Sequence, residues 1–157
     1  MHDQHRGILE SAVTGALAGG LATVAMSALM FAAKAAGLMG EMPPEKITAK
    51  ALDAAGVDRH PALQDALASA LHVAFGAAAG AMYAVADDRL QPPVPAAVKG
   101  AAYGTAIWTT SYLGWVPMLG IMPRADRDRP GRARAMLAAH WVFGLALVEI
   151  LRRRGPA

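Results

Sequence analysis

Charged residues in this chain fall at the edges of long apolar stretches. Between successive Asp, Glu, Lys or Arg residues lie four open windows: Ser11–Ala33, Ala66–Ala86, Gly100–Pro123 and Ala135–Val148. They hold 23, 21, 24 and 14 residues, and tolerating Glu149 extends the last to Leu151, or 17 residues. A helix rises about 1.5 Å per residue, so roughly 20 residues cross a hydrocarbon layer of about 30 Å. Three windows reach that length and the fourth falls just short. A water-soluble bundle needs charges on each helix's outer face every turn or two. These windows supply none. The pattern predicts an all-α fold, a polytopic membrane four-helix bundle, in a single transmembrane domain over residues 1–157.

Three short matches recur in the same order along the chain. Ala12-Val13-x-Gly15-Ala16-x-x-Gly19 matches Ala97-Val98-x-Gly100-Ala101-x-x-Gly104; Gly40-x-Met42-Pro43 matches Gly120-x-Met122-Pro123; His72-x-x-Phe75-Gly76 matches His140-x-x-Phe143-Gly144. The chain has three Phe, and two of them follow a His at the same spacing. The offsets fall from 85 to 80 to 68, as expected if the second copy has shorter loops. The bundle is therefore expected to be a tandem duplication of a transmembrane helical hairpin, with repeats at about 8–88 and 96–154. Two crossings per copy imply a pseudo-twofold axis along the membrane normal.

Smaller signals fill in the connections. Pro43 and Pro44 open a short polar helix that Gly56 ends, with Ile47, Ala51 and Leu52 on one face, suited to lying at the headgroups. Gln91-Pro92-Pro93-Val94-Pro95 reads as a stiff, extended turn between the copies. Met1–Arg6 with the following apolar run resembles a secretory signal only loosely, because that run exceeds the roughly 7–15 residues of a signal core. The first helix is expected to remain as a span. Six basic residues share the side of the termini and nine the side of the loops. The weight given to short loops puts the loops in the cytoplasm, while the tail Arg152-Arg153-Arg154 argues the other way.

Composition agrees with the pattern: 55% of the 157 residues are hydrophobic and 17% charged, against roughly 45–50% apolar in soluble domains. No cysteine is present, which excludes disulfides and thiolate chemistry. The formal charge of +3 bears on topology and anionic lipid, and no nucleic-acid partner is expected. No phosphate-cradling loop, HExxH or nucleophile elbow occurs. The chain is not expected to be an enzyme or to carry a cofactor or metal.

His72 and His140 are the notable polar groups, each several residues inside an uncharged window, where a polar atom needs a partner. Three roles fit them: a structural hydrogen bond across helices, a proton-responsive or translocating pair, or a metal or haem site. Ser27, Tyr103, Thr109, Thr110, Ser111 and Tyr112 are the candidate structural partners. Gly76 and Gly80 follow His72 at four and eight residues, and Gly144 follows His140 at four, leaving room beside each ring. With Gly15, Gly19, Gly100 and Gly104 they form stripes suited to close helix contact, either inside the chain or in a homodimer. Glu149 is expected to pair with Arg152 and Arg153. Trp115 reads as an interfacial anchor, and Asp126-x-Asp128 as a solvated mixed-charge loop.

The run Leu71-His72-Val73-Ala74-Phe75-Gly76-Ala77-Ala78-Ala79-Gly80-Ala81-Met82-Tyr83 resembles a YagU-like family of uncharacterised bacterial inner-membrane proteins. Ala139-His140-Trp141-Val142-Phe143-Gly144 through Glu149-Ile150-Leu151-Arg152-Arg153 is similar to that family's C-terminal helix. The resemblance covers about half of the chain. It implies a multi-pass protein of the bacterial inner (cytoplasmic) membrane and supplies no activity. The expected function is contact with protein or the lipid bilayer. The alternative is a proton-coupled or small-solute transport element with His72 and His140 lining a path.

Overall fold

A computed structural model describes residues 7–154 apart from 59 and 92. Met1–Arg6 ahead of the first expected span, the basic loop residue Arg59 and Pro92 of the proline turn lie outside the described residues. Among the described residues the chain is helical, without strands. Its elements are α1 (Ile8–Ala35), α2 (Pro43–Ala54), α3 (Pro61–Leu90), α4 (Ala96–Trp108), a π-helical segment (Thr109–Trp115), α5 (Val116–Met118) and α6 (Arg132–Arg153). Three of these, α1, α3 and α6, are long and apolar enough to cross a membrane.

The expected third crossing, Gly100–Pro123, is not one α-helix. Thr110 Oγ1 donates to Ala106 O at 2.9 Å and Ser111 Oγ to Ile107 O at 2.7 Å, competing for carbonyls of the preceding turn. Gly114 leaves the helical region (φ −101°, ψ −109°), and Pro117 has no N–H to return to that turn. The backbone widens to i→i+5 bonding over seven residues before α5 resumes. The fourth window errs the other way. It is bounded by charges, yet α6 runs 22 residues through them, because Glu149 binds both Arg152 (2.9 Å) and Arg153 (2.6 Å).

Two glycine seams set the packing. α1 lies on α3, α4 on α6, and α1 also on α6. In the first pair Gly15 faces Gly80 and Gly19 faces Gly76; a Cβ at Gly19 would strike the Gly76 carbonyl and stand 2.9 Å from Gly80 Cα. In the second pair Gly100 faces Gly144, and Gly104 faces the His140 backbone, where a Cβ would stand 2.8 Å from the carbonyl carbon. Small residues let backbones touch, which maximises dispersion contact. α3 reaches α4 through side chains: Tyr103 Oη donates to Ala79 O at 2.6 Å, its ring lies 4.9 Å from Tyr83, and Lys99 pairs with Asp87 at 2.8 Å.

The interior is assembled from small and flexible side chains, Ala18, Ala22, Met26, Met30, Ala79 and Ala139 among them. Leu17, Leu21, Val24, Phe31, Leu71 and Phe75 point outward. That is the reverse of a water-soluble bundle, where such residues fill the core.

The ends of the helices are tied by polar contacts. α1 closes on Gly37 (φ +76°), with Gly37 N–H to Lys34 O and Leu38 N–H to Ala33 O; only glycine adopts that turn without strain. Gly120 (φ +64°) closes α5 in the same way, through Ile121 N–H to Val116 O. It is thus Gly37, not Gly40 of the Gly-x-Met-Pro match, that caps α1. Lys34 pairs with Glu45 at 2.9 Å, holding α2 to the end of α1. On α2 the buried face carries Thr48 and Ala49, while Ala51 is exposed.

Asp128 corrects the reading of its loop as solvated. Its side chain is buried (3% exposed) and accepts from Arg132 Nη1 at 2.8 Å and from the Tyr112 hydroxyl. Arg132, itself buried, donates through Nε to Met39 O at 2.8 Å, and Arg129 Nη1 reaches Gly37 O at 3.3 Å. The network joins the π segment, the start of α6 and the α1–α2 loop. Asp126 stays exposed beside Arg124.

Two outcomes follow, both measurable by unfolding in detergent. Gly19→Ala is expected to destabilise by about 1–3 kcal/mol through overpacking. Gly20→Ala, whose Cβ meets nothing closer than Val73 at 3.8 Å, should be near neutral. Asp128→Ala should cost about 3–5 kcal/mol by stranding the buried guanidinium, whereas Asp126→Ala should change stability by about 0.5 kcal/mol or less.

Candidate functional site

A cavity of about 420 Å³ opens on the side of the glycine seams nearer α2. α3 and α4 are bridged at the Tyr83–Tyr103 end; the cavity is lined by Leu71, His72 and Phe75 of α3 and, as a further wall, by Ile107 of α4 with Ser111 and Trp115 of the π segment. The unwound geometry of the π segment positions Ser111, Tyr112 and Trp115 on that wall. Met26 and Met30 of α1 and His140 and Phe143 of α6 form the back, and Pro44, Ile47 and Thr48 of α2 form one end. The volume falls within the roughly 300–1,000 Å³ of ligand pockets. Leu71, Ala74 and Phe75 line it and are also exposed, so its mouth lies on the apolar lateral surface.

Both expected histidines line this one cavity. His140 is buried, and its Nδ1 lies 2.7 Å from Met136 O. A carbonyl only accepts, so Nδ1 carries the hydrogen, and in the neutral ring Nε2 is left as an acceptor. His72 is half-buried, with Nδ1 3.4 Å from Ser27 Oγ. Of the candidate partners only Ser27 meets a histidine: Tyr103 donates to Ala79 O, Thr110 and Ser111 bond back to their own helix, and Tyr112 donates to Asp128.

If Gly15 and Gly19 correspond to Gly100 and Gly104, the facing residues Gly80 and Gly76 correspond to Gly144 and His140. The second pair is therefore slipped by four residues, one helical turn or about 6 Å, from the register that equates His72 with His140. By packing, the counterpart of His72 is Met136. The slip follows from where glycine lets backbones meet, which the shared His-x-x-Phe-Gly spacing does not encode.

The seven predicted packing glycines, Gly15, Gly19, Gly76, Gly80, Gly100, Gly104 and Gly144, all lie in the seams within the chain. Trp115, read as an interfacial anchor, lines the cavity. Thr23 was not singled out by sequence: its hydroxyl bonds to Gly19 O at 2.8 Å and fills the space that a Cβ at Gly76 would need. Met26, Met30, Met136 and Phe143 were equally silent, since scattered apolar residues carry no sign of which void they border. Gly114 and Pro117 were the available signal for the π segment. Among the described residues, no three His, Asp or Glu side chains converge on a point that could hold a metal ion.

His140→Leu is expected to fold with a loss below about 1.5 kcal/mol, the net worth of one hydrogen bond. The Met136 carbonyl keeps its backbone partner in the helix. Gly104→Ala, which pushes the same turn away, should cost more. Thermal unfolding of the two variants checks the order; a larger loss for His140→Leu would make the ring a structural element.

No curated protein and no solved structure matches the chain, and no match links it to the YagU-like proteins. Residues 9–156, nearly its whole length, match one family model. The chain belongs to the family of unknown function DUF6789.

Proposed function

We propose that the chain is a non-catalytic protein of the bacterial inner membrane that acts by lipid contact, taking an apolar chain from the bilayer into its cavity. On this reading it crosses the membrane four times, as a four-helix bundle of two tandem hairpins. The fourth crossing is α4, the π segment and α5, which run on without a gap through 13, 7 and 3 residues. Such a break is tolerated at membrane depth when hydroxyls and neighbouring helices satisfy the backbone. The duplication is supported by a glycine seam in each pair, one turn out of register with the other.

The observation that carries the proposal is the cavity mouth at Leu71, Ala74 and Phe75. It opens among outward Leu, Val and Phe side chains and leads to walls of Met, Ile and Phe. An apolar cavity of this kind excludes water and accepts hydrocarbon. Lipid is thus the partner. A homodimer would need another face, because the glycine stripes are already occupied within the chain.

A second reading, transport of a proton or small solute, is favoured by one observation: His72 and His140 share the cavity. Against it, the lining contains no Asp, Glu, Lys or Arg among the described residues, which an aqueous path would normally carry.

Ala74→Trp places bulk at the exposed mouth and should leave the fold intact. Native mass spectrometry after mild detergent extraction is expected to show several-fold less retained lipid than in the unaltered protein. Equal retention would defeat lipid uptake. Proton or solute flux in vesicles that disappears in the double variant His72→Ala and His140→Ala would move the assignment to transport.

A further inference from the structure

We infer that the cavity selects a neutral lipid bearing a hydroxyl group, held by a hydrogen bond from that hydroxyl to His140 Nε2. The inference rests on the lipid-uptake reading and adds the chemistry of the head.

Charge is the first discriminator. Among the described residues, none of the side chains lining the cavity is Asp, Glu, Lys or Arg. A carboxylate, phosphate or ammonium drawn inside would lose its hydration and find no opposite charge, a penalty too large for an apolar wall to offset. The occupant is therefore uncharged.

Hydrogen-bond capacity is the second. Of the four hydroxyls that line the cavity, three are already spent on the protein: Thr23 donates to Gly19 O, Ser111 to Ile107 O, and Tyr112 to Asp128, while Thr48 stays free to donate. His140 differs. Its Nδ1 hydrogen is committed to Met136 O at 2.7 Å, which fixes the neutral tautomer and leaves the Nε2 lone pair, with no protein partner among the described residues. Thr48, Trp115 and His72 also line the cavity and can donate, so what the site lacks is a hydrogen for the Nε2 lone pair. A pure hydrocarbon leaves that lone pair unmet, and an ester or ketone brings only more acceptors. An alcohol brings the missing hydrogen. Its chain then extends between Met26, Met30, Ile107 and Phe143 toward the mouth at Phe75.

Equilibrium dialysis of the detergent-solubilised full chain against labelled 1-dodecanol, dodecane and dodecanoate tests this. Dodecanol is expected to bind with a Kd about ten-fold lower than either of the others, the factor one hydrogen bond supplies. His140→Leu should raise the dodecanol Kd to the dodecane value and leave dodecane unchanged. Ala74→Trp should weaken dodecanol and dodecane together, which gives a second readout should His140→Leu fail to fold. Equal binding of dodecanol and dodecane overturns the hydroxyl inference while sparing lipid uptake, as does a preference for dodecanoate. Binding of none of the three overturns both.

Discussion

At the two seams of this chain, the carbonyl oxygens of one helix lie where the side chains of the next would begin. Gly19 against Gly76 and Gly104 against the His140 backbone leave no room for a β-carbon. That constraint governs the rest. Helices that touch backbone to backbone cannot hold bulky residues between them, so Leu, Val and Phe of α1 and α3 are displaced outward and their buried faces fall mainly to Ala, Gly, Met and Thr. α6, by contrast, also buries Phe143 and Leu147. The outward apolar surface is a consequence of how the pairs close, as much as an adaptation to what surrounds them.

The same closeness explains why a cavity exists where it does. α1 is held to α3 and α4 to α6 by the seams, while α3 and α4 meet through side chains at one end, where Tyr103 bridges to Ala79 and Tyr83, and Lys99 pairs with Asp87. Away from that bridge nothing small enough draws them together. The gap is walled by the π segment and by α2, and flexible Met side chains border it without filling it. Thr23 shows how tightly the neighbouring seam is fitted, since its hydroxyl takes the position a single methyl group at Gly76 would require.

Polar contacts then fix the open end. Asp128, Arg132 and Tyr112, with the Met39 carbonyl, satisfy one another in a buried cluster that ties three connections together. Buried charges persist only when paired and hydrogen-bonded, so this cluster fixes the angle at which the π segment meets α6. The wall of the cavity that carries Ser111, Tyr112 and Trp115 is positioned by that angle. Loop chemistry and cavity shape are in this sense one property of the fold.

Charge-free windows and the spacing of glycine were enough to foresee helices over most of the chain and the residues at which they meet, because hydrophobic run length and the absence of a side chain act locally. Gly15, Gly19, Gly100 and Gly104 show this directly. Register, partner choice and voids were decided by the tertiary structure. That Gly19 meets Gly76 while Gly104 meets the His140 backbone depends on which carbonyl each glycine admits, and the pairing of Asp128 with Arg132 depends on a loop folding back. Neither is written in spacing along the chain, since both are settled by contacts between residues distant in sequence.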